Sequence, residues 1–117
     1  MDRSELVRVF LWEGDTEAAW REATEGGCSR ELWLALAAGR EQYHPEDALP
    51  IYRDQVDQTL QSTGNAAYEA AVDLLGRIGD LMARLGRQAE FADYLAWLRT
   101  AHKRKRNLIK LLDAQQW

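Results

Sequence analysis

Cysteine is nearly absent from this chain: Cys28 is the only one in 117 residues. No intrachain disulfide is possible, which fits a reducing compartment and predicts a cytoplasmic protein. Two prolines and eight glycines leave little material for long loops. No apolar run approaches the roughly 18 residues that a membrane-spanning helix needs, so no membrane role is expected. The opening "MDRSELVRVF" alternates in charge, and its apolar run is too short for a signal peptide. Histidine is scarce too. With only Cys28, His44 and His102 as soft or borderline ligands, scattered and without ligand spacing, the sequence contains no zinc site. Nothing in the pattern calls for a cofactor or a small-molecule substrate.

What is present is apolar bulk and an uneven charge. Apolar residues make up 46% of the chain and charged residues 29%, ordinary values for one globular domain with a real core. The net charge of −4 conceals a contrast. Residues 1–98 carry 9 Lys and Arg against 18 Asp and Glu; residues 99–117 carry 6 against one, Asp113. An acidic body ends in a basic tail.

Hydrophobic periodicity predicts an all-α fold of about six helices in three antiparallel hairpins. Leu6, Val7, Phe10 and Leu11 form the first stripe, which Gly14 stops. Asp15 suits the N-cap of a second helix packed through Ala19, Trp20 and Ala23, and Gly26-Gly27 end it. Ser29 suits the N-cap of a third, central helix. Pro45 suits the first position of a fourth, whose inner face is Ala48, Tyr52, Val56 and Leu60. Pro50 deletes one of its backbone bonds. Asn65 suits the N-cap of the fifth helix. There Tyr68, Ala71, Val72, Leu75, Ile78, Met82 and Leu85 give the best amphipathic signal, and Gly76 and Gly79 imply a close helix crossing. Trp33 is expected near that centre. From Arg87 onward no Gly or Pro intervenes, so one long C-terminal helix of about 28 residues is predicted, about 42 Å long. Small residues at Ala19/Ala23 and the turns at Gly14 and Gly86 resemble a tetratricopeptide-type hairpin, although the spacing is irregular.

Three stretches, "FLWEGDTEAAWREATEGGCSRELWLALA", "HPEDALPIYR" and "AHKRKRNLIKLLD", resemble the C-terminal helical region of bacterial SWIM-type zinc-finger proteins. The resemblance spans about Val9 to Asp113. It implies that the chain is the last domain of a longer protein whose zinc finger lies upstream. That finger uses C-x-C followed by C-x-H, and no such ligand set occurs here. The metal and nucleic-acid roles associated with the finger therefore stop short of this chain.

Enzymatic chemistry finds no constellation to support it. Cys28 follows a double glycine and precedes a helix N-terminus, but no base is placed beside it; it reads as a loop residue that packs. His44 in "HPED" reads as a helix N-cap. "GRIGDLMARLG" is glycine-bearing, but it lies inside a helix rather than after a strand, and so is no phosphate loop.

The tail is the candidate site. His102, Lys103, Arg104, Lys105 and Arg106 interrupt an apolar row that resumes at Leu108, Ile109, Leu111 and Leu112. The basic run can be a solvated helix face, a docking element for an acidic protein partner or a second copy, or a nucleic-acid contact. The last lacks interleaved aromatics, and the acidic body repels phosphate. The expected partner-binding set is His102 to Arg106 with Leu108, Ile109 and Leu112. Exposed aliphatics need cover. The apolar tip is therefore expected to pack near Phe10 and Trp12, of its own chain or of a second copy, with the basic run facing Glu13, Asp15, Glu17 and Glu22. The expected function is a non-catalytic helical-repeat protein-interaction module; the alternative is an accessory nucleic-acid-binding domain acting through the tail.

The scattered ligands make a direct prediction. Purified protein carries no stoichiometric zinc and shows no hydrolytic activity. Elemental analysis returning one equivalent of tightly held metal would contradict it.

Overall fold

The computed structural model describes residues 2–117. It is all-helical, with seven helices and no strand among the described residues: α1 (Ser4–Glu13), α2 (Thr16–Gly26), α3 (Arg30–Arg40), α4 (Pro45–Thr59), α5 (Asn65–Arg84), α6 (Gln88–Ala101) and α7 (Arg106–Ala114). None is long and apolar enough to cross a membrane. The chain divides into two compact units, Met1–Ile51 and Tyr52–Trp117.

In the first unit, α1 packs on α2 and α3. Gly14 adopts φ 81°, and its N–H donates to Leu11 O while the Asp15 N–H donates to Phe10 O, closing the end of α1. Asp15 then accepts from the Ala18 N–H at 3.1 Å and starts α2. Ser29 caps α3 in the same way, accepting from Leu32 N–H. Each cap satisfies a backbone donor that a helix start leaves unpaired. Val7, Ala19, Ala23, Leu32 and Leu36 form the core, with Phe10, Trp20, Cys28 and Trp33 against it. Trp33 thus packs edge-on to Trp20, ring centres 5.8 Å apart, in this unit's own core. Leu6 lies at the edge of its stripe and is half exposed. Arg40, nearly buried, is held by Glu17 (3.1 Å) and Asp47 (2.8 Å) and lies over the Trp20 ring. Two carboxylates and an aromatic face offset the cost of burying its charge.

The second unit is built on α5. Tyr68, Ala71, Val72, Leu75, Ile78, Leu81 and Met82 are all buried along it. Gly64, not Asn65, occupies the N-cap position, at φ 114°. The Asn65 side chain accepts instead from Asn107 at 3.2 Å. Phe91 at the start of α6 lies against Gly79, and Leu95 and Leu98 follow it inward.

The C-terminal region departs from the expectation of one long helix. Residues 102–104 form a turn, Lys105 follows it, and α7 folds back to pack on α5. His102 closes α6 at φ −117°, ψ 26°, and Lys105 opens α7 at φ −86°, ψ 78°. A continuous helix would carry Leu108 and Leu112 away into water. Folding back buries both, at 1% and 2% exposure, and each such burial stabilises by about 1.5–3 kcal/mol. Breaking the helix costs little, because local bonds replace the lost ones: His102 N–H to Leu98 O, Lys105 N–H to His102 O and Ile109 N–H to Lys105 O. The apolar tip therefore finds its cover on α5, not at Phe10 and Trp12. Phe10 sits in the first unit's core, and Trp12 is 88% exposed.

The two glycines of α5 are not equivalent. A Cβ at Gly79 would stand 2.9 Å from the Phe91 ring, so the close approach requires glycine there. A Cβ at Gly76 would meet only the Trp117 ring, at an ordinary 3.8 Å. Gly76→Ala is expected to raise stability by about 0.5–1 kcal/mol, the usual gain in a helix interior. Gly79→Ala forfeits that gain by displacing Phe91. Thermal melts that place Gly79→Ala at or above Gly76→Ala would contradict the α5/α6 crossing.

Candidate functional site

The basic run is an elbow between α6 and α7, and its residues have separate fates. Lys105 is half-buried; its ammonium donates to the Leu60 carbonyl at 2.6 Å and lies 5.8 Å from the centre of the Tyr68 ring. It secures the elbow to the end of α4. His102 is half-buried as well. The side chains of Lys103, Arg104 and Arg106 project into solvent, with no hydrogen bond or ion pair to the described residues. Leu108 and Leu112 are core residues of the unit, and Ile109 is half-buried. Of the predicted partner-binding set, the exposed cations are what a partner can reach. Arg99 and Asp113 pair at 2.6 Å across the two arms of the elbow.

Beside the elbow runs a cleft that sequence reasoning did not single out. One wall is α4, which presents Arg53 and Asp57, one turn apart; the other is α6, which presents Glu90, Asp93, Tyr94 and Trp97. The α6 residues are spaced 3, 1 and 3 apart, which places them on one helical face. The cleft encloses about 480 Å³. The Tyr94 and Trp97 rings stack, centres 6.4 Å apart at 12°, and the Arg53 guanidinium lies 4.4 Å from the Tyr94 ring centre. Trp97 stays 56% exposed. Glu90 is engaged by Arg87, whose guanidinium holds its carboxyl below the usual range. Asp57 and Asp93 accept no hydrogen bond and form no ion pair among the described residues. The Tyr94 hydroxyl is buried with no well-aligned hydrogen-bond partner. Burial, reinforced by the Asp57 charge against a lesser, opposing pull from the Arg53 guanidinium, pushes the Tyr94 pKa up to about 12, so it stays a neutral phenol. The signal available in the sequence was a tryptophan on an acidic helical stripe, Glu90–Asp93–Trp97.

The remaining reactive side chains have structural surroundings. Burial, with a lesser push from Asp2, raises the Cys28 thiol, the opposite of nucleophile activation. The Cys28 side chain packs on the first core. His44 precedes the first residue of α4; its Nδ1 lies 3.8 Å from Glu46 Oε1. His44, Glu46 and Asp47 come within 4.8 Å of one another, but the Asp47 carboxylate already accepts from Arg40.

His102 makes the elbow sensitive to acid. Burial, then the neighbouring Lys105 charge, lowers its pKa below the ordinary imidazole value, against an opposing pull from Asp57. The fold therefore favours neutral His102. Its contribution is fully present above about pH 6.5 and is lost as the pH falls through the lowered folded value. Melting temperature should fall on acidification below that point, and His102→Gln should flatten this part of the profile. An imidazole titrating at or above about 6.5 by NMR would contradict the geometry.

Compared with known proteins, the chain matches no family model, no curated protein and no solved structure at a significant level.

Proposed function

We propose that this chain is a non-catalytic helical module that binds segments of other proteins, with the α4/α6 cleft as its contact surface. The observation that carries this is Trp97, a large aromatic held open to solvent on a stacked Tyr94, in a cleft that Asp57 and Asp93 also line. Rigid aromatics placed at a groove are the residues on which binding energy concentrates. The consecutive packing of α1 on α2, α2 on α3 and α5 on α6, with small Ala19 and Ala23 at the first crossing, supports a tetratricopeptide-like reading of the helices. The resemblance to the C-terminal region of SWIM-type zinc-finger proteins supports a module placed after such a finger in a cytoplasmic protein. Both are analogies of architecture, and a function resides in the residues of a site rather than in a fold. The alternative, nucleic-acid binding through the tail, would use Lys103, Arg104 and Arg106; Lys105 is engaged with Leu60, and the carboxylates of the cleft stand close by.

Selection of phage-displayed peptides against the intact chain tests the proposal. Binders are expected that lose about 2 kcal/mol, roughly 30-fold in affinity, on Trp97→Ala and nothing on Trp12→Ala, an exposed tryptophan of the first unit. The absence of binders, or equal sensitivity to the two substitutions, would contradict it.

A further inference from the structure

We infer that the occupant of the α4/α6 cleft is the basic elbow of a second copy of this chain, the two copies exchanging elbows about a twofold axis. The inference rests on the reading of the cleft as a protein-binding surface and names its partner.

Charge complementarity within the molecule carries it. The cleft holds two unpaired carboxylates, Asp57 and Asp93, and an open aromatic platform, Trp97 on Tyr94. That combination recognises a cationic side chain, which can rest its charge on the ring and meet the carboxylates at the rim. The elbow offers three such side chains, Lys103, Arg104 and Arg106, all exposed and unpaired. Every lysine of the chain, Lys103, Lys105 and Lys110, lies in this terminal segment. A second observation lies within the cleft. Tyr94 is more than nine-tenths buried, yet its hydroxyl has no well-aligned partner, only the neighbouring Arg53 guanidinium. A buried hydroxyl is costly to leave unsatisfied, which makes this end of the cleft receptive to a donor.

The two complementary patches are neighbours. Trp97 stands one turn before Ala101, the last residue of α6, and the Asp57 charge reaches His102 at the elbow itself. Yet the exposed cations do not turn back onto the carboxylates of their own chain. An acidic patch beside a basic patch on one face is self-complementary under a twofold rotation. That is the condition an isologous interface imposes. Exposed ion pairs contribute little each, so the association is weak and falls with salt.

Sedimentation equilibrium on the full chain, at low and at high salt, reads the association. A monomer–dimer equilibrium that high salt shifts toward monomer is expected. Two double variants of exposed residues separate the halves of the contact: Asp57→Lys with Asp93→Lys, and Lys103→Glu with Arg104→Glu. Each alone should be monomeric while retaining the parent helical spectrum. An equimolar mixture should associate again, because one reversed cleft meets one reversed elbow. A parent chain that is monomeric at low salt, variants that associate like the parent, or a mixture that fails to recover would each overturn the proposal. Fluorescence anisotropy of a labelled AHKRKRN peptide with the elbow variant distinguishes the two readings. Trp97-dependent peptide binding by a chain that never self-associates would overturn the second copy and retain the module. Absence of both would overturn both.

Discussion

The burial of Leu108 and Leu112 on α5 is the constraint from which the second unit takes its form. Two leucines four residues apart lie on one side of a short helix. They reach α5 only if the chain reverses after Ala101. Nine residues of isolated helix would be marginal in water, so α7 depends on this contact for its existence. The contact also sets Lys105 against the end of α4, Asn107 against the start of α5, and Trp117 against Phe91, with ring centres 5.6 Å apart. A basic stretch with no glycine or proline becomes a turn because tertiary burial outweighs local helical preference.

That turn changes what the basic tail is for. Along a straight helix, five adjacent basic residues would wrap a projecting rod. In an elbow they divide. Lys105 is drawn inward to a carbonyl, His102 is half-covered beside Asp57, and Lys103, Arg104 and Arg106 are displayed at a corner. The corner stands next to the acidic face of α6. The contrast between an acidic body and a basic end, visible in composition, is in the fold a contrast between two adjacent surfaces.

Much of this was legible in the sequence. Helix starts at Asp15 and Ser29, the stop at Gly14 and the inner faces of α4 and α5 follow from short-range rules, since caps and periodicity act within a turn or two. The glycine-enforced crossing was legible at Gly79 and misread at Gly76, whose neighbour Trp117 arrives only through the fold-back. The break at the elbow was not legible. No local residue demands it; the cause is a surface on α5, a helix and more earlier in the chain. The cleft was hidden for the same reason, as its walls come from α4 and α6. Glu90, Asp93 and Trp97 read locally as an ordinary solvent face.

The fold-back is open to one direct measurement. Arg99 and Asp113 touch at 2.6 Å when α7 returns along the unit. On an unbroken helix the same fourteen-residue separation would hold them about 21 Å apart, at 1.5 Å per residue. Spin labels at positions 99 and 113, in a Cys28→Ser background, report that distance in solution. Strong short-range dipolar broadening is the result expected of the elbow. A narrow distribution centred near the helical separation would mean that α6 runs straight through the basic residues, and that the exposed corner, the covered α5 face and the neighbouring cleft do not exist as described.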